Sequence, residues 1–197
     1  MDKEITELAK GLDEAPTERV LLVGFMGSGK TKVGQALASL LGWSFLDFDR
    51  EIERRTGLPI SEIFRQHGED FFRGLEEKVG WDLLRGRQVV LASGGGWPAV
   101  GGRMAALGPE TLSVWLQVPP AVAVERARAQ GDTRPLLDVP DPLAIAEKLL
   151  KAREPFYGEA HFTVDSTSAS PGELAERILK FMNEKGRVPP HPLPPYK

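Results

Sequence analysis

The chain contains no cysteine. Disulfides, thiolate nucleophiles, cysteine-bound zinc and iron–sulfur clusters are therefore excluded, and nothing points to an oxidising compartment. Long apolar runs are missing as well. The longest, Val20 to Met26 with glycines at 24 and 27 around its end, falls far short of the ~20 residues a membrane helix needs, and MDKEITELAKGLDEA lacks a signal peptide's apolar centre. A cytoplasmic protein without a membrane partner is expected. Nor is there a surplus of positive charge: 25 basic against 28 acidic residues give a net charge of −3, where dedicated nucleic-acid binders usually show a basic excess. The three histidines, His67, His161 and His191, are scattered without metal-ligand spacing and read as structural or tail residues. What is present, 197 residues of which 41% are hydrophobic and 27% charged, suffices for one domain with a sizeable core. No apolar stripe demands a second subunit, so a monomer is expected.

Short apolar runs alternate with amphipathic stretches. Val20–Phe25, Ser44–Asp47, Val89–Ala92, Leu112–Val118 and Phe162–Asp165 read as strands, and helices are expected near 30–41, 61–67, 70–85, 120–129, 142–153 and 171–182. That alternation predicts an α/β fold, a parallel sheet with helices on both faces. Residues 1–18 read as a polar extension outside the core, and the folded unit is expected over 19–183. The tail 184–197 ends in VPPHPLPPYK, with five prolines in ten residues, a composition that favours extended conformations and builds no packed element. Trp43, Trp81 and Trp115 fall in apolar periodic patterns and read as core.

The strongest motif is Gly24-Phe25-Met26-Gly27-Ser28-Gly29-Lys30-Thr31. It fits G-x-x-x-x-G-K-[ST] and stands between a strand and a helix, the context that this phosphate-binding pattern requires. Glycines let successive N–H groups turn inward, and the following helix terminus adds partial positive charge, so Gly27, Ser28, Gly29, Lys30, Thr31 and Lys32 are candidates for binding ATP. Lys30 would reach the β and γ phosphates, and Thr31 would offer its hydroxyl to Mg²⁺.

A carboxylate should complete that magnesium shell, but Val89–Ala92 runs into Ser93-Gly94-Gly95-Gly96 with no acid. Asp47 and Asp49, two apart in Phe45-Leu46-Asp47-Phe48-Asp49, would share one face at a strand's carboxyl end if the strand persists. Asp47 is the magnesium candidate and Asp49 the one nearer the acceptor; the alternative is that Asp49 merely caps the helix DREIERR. Asp165, before STSAS, reads as a turn residue. No N-K-x-D or D-x-x-G element of regulatory GTPases occurs, which favours phosphoryl transfer to a small molecule.

Arg73 alone reads as a surface partner of Glu76 or Glu77, Gly94 to Gly96 as a tight turn or an anion-facing backbone, Arg134-Pro135-Leu136-Leu137 as part of a loop, and Arg153-Glu154-Pro155-Phe156-Tyr157 as a helix ending at a proline. Taken in order, GFMGSGKT, FLDFD, TGLPISEIFRQHGEDFFRGLE, LASGGG, RPLL and REPFY resemble the shikimate kinase family over residues 19–182. The resemblance implies a nucleoside-monophosphate-kinase-like fold of five parallel strands, an acceptor-binding segment near 49–80 and a lid near 126–141. It implies ATP-dependent phosphorylation of the 3-hydroxyl of shikimate. Asp49 would bind shikimate hydroxyls and serve as base, Arg73 and Arg153 would hold the carboxylate, Gly94, Gly95 and Gly96 would wall the substrate, and Arg134 would meet the transferring phosphate. Arg126 or Arg128 and the loop before Pro171 would sandwich adenine. Lys32 stands where a small hydroxyl residue is usual in the family, and Trp97-Pro98 where small or aliphatic residues are common. A gluconate-type sugar-acid kinase and a catalytically silent ATP-binding relative are the rival readings.

Overall fold

A computed structural model of the chain describes residues 16–129 and 140–187. Along the chain these form β1 (Arg19–Val23), α1 (Lys30–Leu41), β2 (Ser44–Asp47), α2 (Phe48–Thr56), α3 (Ile60–Leu83), β3 (Val89–Ala92), a 3-10 turn (Trp97–Ala99), β4 (Thr111–Gln117), α4 (Pro120–Ala129), α5 (Pro142–Tyr157), β5 (Phe162–Asp165) and α6 (Pro171–Glu184). The strands build one parallel five-stranded sheet in the order β2-β3-β1-β4-β5.

Alternation along the central strands divides the interior in two. Leu21 and Val23 of β1 and Leu91 of β3 face a cluster with Phe48, Ile52, Val79, Trp97 and Tyr157, built from the acceptor-side helices. Val20 and Leu22 face a second cluster with Val33 and Leu37 of α1 and Leu174 and Ile178 of α6. Because both faces are covered, β1 and β3 are buried along their whole length, which explains their unbroken apolar sequences. Trp43, Trp81 and Trp115 pack against these clusters as core residues. His161 is structural: its Nδ1 lies 2.6 Å from the Ser113 hydroxyl, joining β4 to the start of β5.

Several boundaries differ from the sequence expectation, and the helix Phe48–Thr56 is absent from the expected set; the main differences have local reasons. β1 stops at Val23, not Phe25, because Gly24 takes φ +140° and turns the chain out of the sheet. The helices expected at 61–67 and 70–85 are one element bent at Gly68, whose φ of 81° and ψ of 178° are non-helical. α2 follows β2 with no intervening loop. α5 does not stop at Arg153 but carries Pro155 inside its last turn and ends at Tyr157; so near a terminus the proline removes a single helix hydrogen bond. The expected capping box before α6 is present, with Ser170 Oγ accepting from Glu173 N and Glu173 returning to Ser170 N. Asp165 closes a turn by accepting from Thr167 N and Oγ1 at 2.8 and 2.6 Å.

Residues 1–15 of the expected extension over 1–18, residues 188–197 of the expected tail over 184–197 and residues 130–139 of the expected lid over 126–141, with Arg134, lie outside the described residues. The described ends meet, since Thr17 N donates to the Arg187 carbonyl at 2.9 Å.

Candidate active site

Three adjacent strands, β2, β3 and β1, run in register so that Asp47 pairs with Ala92 and Leu22 with Ala92 across the sheet. Their carboxyl ends therefore deliver Asp47, the glycine run 94–96 and the phosphate loop to one edge. This is where ligands of open α/β sheets collect.

The loop following β1 is held by its own lysine. Lys30 Nζ donates to the carbonyls of Gly24 and Phe25, both at 2.9 Å. Gly29 caps α1 in the left-handed region at φ 88°, and no atom outside the local chain lies within 4 Å of the position its Cβ would take. The first turn of α1 has neither a side-chain cap nor an acidic residue, so its N–H groups and partial positive charge face outward for an anion. Ser28 is fully buried, and its hydroxyl has no hydrogen-bond partner among the described residues. Lys32 is exposed in the first turn of α1.

Asp47 does two things at once. Its Oδ2 accepts the Thr31 hydroxyl at 2.9 Å, and its Oδ1 accepts from Asp49 N at 3.0 Å and Arg50 N at 3.4 Å. Asp47 is thus the N-cap of α2, and the capping alternative for Asp49 is corrected: Asp49 sits inside the first turn. The two aspartates do not share a strand face, because the chain leaves extended geometry directly after Asp47. A hydroxyl and a carboxylate 2.9 Å apart beside the phosphate loop suit a hard cation that takes most of its oxygens from water and phosphate. Among the described residues there is no group of three or more His, Cys, Asp or Glu that could hold a metal ion.

The acceptor side is organised around the glycine run. A Cβ on Gly94 would lie 2.1 Å from Glu76 Oε1 and 3.2 Å from Asp49 Oδ1, and one on Gly96 would lie 2.4 Å from Arg73 Nη1. At Gly95 the corresponding neighbours are Arg153 Nη1 at 3.4 Å, the Gly24 carbonyl at 3.5 Å and the Tyr157 hydroxyl at 3.7 Å. The wall of three glycines thus lets α2, α3, α5 and the phosphate loop converge. Arg73 does pair with Glu76, at 2.7 Å, but not as a surface pair, since Glu76 is 1% exposed. A second bond runs to Glu69 at 2.9 Å, while Glu77 turns to Arg103. Arg153 lies over the Phe25 ring, 5.9 Å from its centroid.

Trp97, a departure from the family pattern, packs behind this wall. It is fully buried, with Phe48 and Trp81 edge-on at 5.6 and 5.3 Å. The departure therefore alters the support of the wall and not its lining. α2 is fastened to α3 by ions: Glu51 binds Arg54 and Arg55, and Arg55 continues to Asp82 at 2.8 Å. These two arginines hold the Glu51 carboxyl at about 2, down from the usual 4.5.

On the opposite flank of the loop, Arg126 donates to the Gly27 carbonyl at 3.1 Å and to Ser166, whereas Arg128 is exposed. Of the two arginines, Arg126 is the one beside both the phosphate loop and the 166–170 loop that leads to Pro171. A cavity of about 330 Å³ lies at the other edge of the sheet, near Arg19, Trp81, Leu107 and Thr111, but Arg19 is already occupied there by Glu110 and the Gly86 carbonyl.

Glu76 and Tyr157 were legible only as members of family motifs, without a role. The usable signal was spacing: each follows an arginine on its own helix, at i+3 and i+4, and so shares that arginine's face.

A five-stranded parallel sheet of this order, with a phosphate loop after its first strand, defines a P-loop phosphotransferase of the nucleoside-monophosphate-kinase kind. A family model described as shikimate kinase matches residues 26–183. The shikimate kinase of Moorella thermoacetica is 45% identical over 163 residues, covering 83% of this chain and 93% of that protein. Shikimate kinase from Acinetobacter baumannii, solved in complex with shikimate, superimposes with a TM-score of 0.79 at 37% identity, covering 89% of this chain and 97% of that one. The chain belongs to the shikimate kinase family. A gluconokinase from Sinorhizobium meliloti, at 20% identity and a TM-score of 0.56, shares the fold alone.

Proposed function

We propose that this chain transfers the γ-phosphoryl group of ATP to the 3-hydroxyl of shikimate, giving shikimate 3-phosphate and ADP. The observation that carries this reading is the convergence of Asp49, Arg73 and Arg153 on one glycine wall that also touches the Gly24 carbonyl of the phosphate loop.

In this reading the α1 terminus, with Gly27, Ser28 and Gly29, cradles the phosphates, and Lys30 leaves the carbonyls of Gly24 and Phe25 for the more negative phosphate oxygens. Thr31 and Asp47 hold Mg²⁺, which supplies charge neutralisation on the phosphates when bound. Arg73 and Arg153 bind the acceptor's carboxylate and fix its orientation. Asp49 takes the proton of the 3-hydroxyl as that oxygen bonds to the γ-phosphorus and the bond to the β–γ bridging oxygen breaks. Most of the rate comes from position and charge, since phosphoryl transfer asks little covalent chemistry of a protein. Arg126 and the loop before Pro171 flank the adenine, and Arg134 meets the transferring phosphate.

The proposed protein is a cytoplasmic monomer without nucleic-acid or membrane partners. The net charge of −3 supports this, and no described helix is long and apolar enough to cross a membrane. One experiment tests the activity: ADP release is followed with shikimate, with gluconate and with no acceptor. Release dependent on shikimate alone is expected. Equal turnover of gluconate would favour the sugar-acid rival, and no stimulated release at all would favour the silent one.

A further inference from the structure

Tyr157 is a buried titratable group to which the mechanism above gives no task. It is fully buried at the end of α5, one helical turn beyond Arg153. Its ring lies 5.9 Å from that of Trp115 on β4, and its hydroxyl donates to the Gly95 carbonyl at 2.6 Å. That bond spans 62 residues of sequence and ties α5 to the middle of the glycine wall. The same hydroxyl, Arg153 Nη1 and the Gly24 carbonyl all stand within 4 Å of one point above Gly95. Burial pushes the phenol up to about 12, against an opposing pull from the Arg153 guanidinium, so it remains a donor throughout any working pH.

The Gly95 carbonyl needs such a partner. It lies beyond the end of β3 at a half-buried position, with no neighbouring strand to bond to, and the donor that the structure places on it is the buried Tyr157 hydroxyl. Without that bond the middle glycine is free to rotate its peptide, and Arg153, which packs on it, loses its backstop. Pro155 heightens the dependence, because it has no N–H to give to the Lys151 carbonyl one turn earlier, and the end of α5 relies more on the anchor at Tyr157.

We propose that Tyr157 is a positioning residue for acceptor binding: through its bond to the Gly95 carbonyl it holds Arg153 and the glycine wall in the register that receives the acceptor's carboxylate. This rests on the carboxylate-clamp reading of Arg153. It assigns specificity for an anionic acceptor to an arginine together with the phenol four residues later, and not to the arginine alone.

The test is Tyr157→Phe, which deletes one oxygen and keeps the ring against Trp115. The KM for shikimate should rise about 10-fold, as for loss of one buried hydrogen bond, while kcat changes less than about 2-fold and the KM for ATP stays constant. A purely structural role would lower Tm and leave both KM values alone, and that result overturns the proposal. Should the variant melt near assay temperature, shikimate binding is titrated at about 10 °C, and the same rise in Kd is required. In an Arg153→Ala background the Tyr157→Phe effect should nearly vanish; full additivity of the two losses overturns the coupling. Arg153→Ala by itself separates the two readings. If it leaves the shikimate KM unchanged, the clamp has failed and this proposal falls with it. If it raises KM while Tyr157→Phe does not, only this proposal fails.

Discussion

Asp49 lies inside the first turn of a helix whose cap is a different residue, so its carboxylate is not needed to start that helix. Asp49→Asn should accordingly fold as the parent does and lower kcat at least ~100-fold, as expected on loss of a general base; steady-state kinetics together with a thermal melt check both halves. The glycine run gives a sharper residue-level contrast. At Gly94 an added methyl would meet the buried Glu76 carboxylate at 2.1 Å, and at Gly96 the Arg73 guanidinium at 2.4 Å, while at Gly95 every neighbour is at least 3.4 Å away. Alanine at 94 or 96 must displace a charged group of the Arg73–Glu76 pair beside the proposed acceptor site. Both should raise the shikimate KM at least ~10-fold, whereas alanine at 95 should leave it within about 3-fold. Equal effects at all three positions would show that the wall works through backbone flexibility and not through close approach.

Among the elements, those with a strong period or an unbroken apolar run were readable: all five strands appear within two residues of their expected bounds, because two-sided burial leaves no polar residue in β1 or β3 after Arg19. The phosphate loop was readable because its chemistry needs particular residues in consecutive order. What was not readable came from contacts distant in sequence. Nothing local distinguishes Arg73 beside the buried Glu76 from an exposed i,i+3 pair, or identifies Asp47 and not Asp49 as the cap. The direct passage from β2 into α2 is stabilised by that cap and by the Glu51, Arg54, Arg55 and Asp82 network. The network carries a pH signature. Glu51 has a folded pKa of about 2 against an ordinary 4.5, a depressed carboxylate, so its stabilisation is complete above about pH 4.5 and is lost as pH falls toward 2. Thermal melts of the parent and Glu51→Gln should differ at neutral pH and converge in acid; a difference that persists undiminished at pH 2 would show that Glu51 acts by packing and not by charge.

At the scale of the whole molecule, the two arginines proposed to bind the acceptor's carboxylate, Arg73 and Arg153, sit on helices far apart in sequence, and their removal should separate binding from stability. Each charge-assisted contact is expected to supply about 1.5–3 kcal/mol, so Arg73→Ala and Arg153→Ala should each raise the shikimate KM roughly 10- to 100-fold with the ATP KM nearly constant. Arg73→Ala should also lower Tm, because it strands Glu76, which is 1% exposed, with no cation beside it; Arg153→Ala leaves no such orphan. A Tm equal to the parent's in Arg73→Ala would show that the Arg73–Glu76 pair adds nothing to stability. The carboxylate of Asp47 has its own reach across the molecule, with one oxygen on the Thr31 hydroxyl and the other on the N–H groups that open the acceptor segment. A planar group cannot turn toward one neighbour without turning relative to the other, so with the proposed roles of Thr31, Asp47 and Asp49 the nucleotide and acceptor sites are expected to be linked equilibria. Reciprocity then fixes their arithmetic: the factor by which Mg·ADP tightens shikimate must equal the factor by which shikimate tightens Mg·ADP. Calorimetric titrations around that four-cornered cycle should give a factor above one in the parent, and a factor that shrinks toward one in Asp47→Ala.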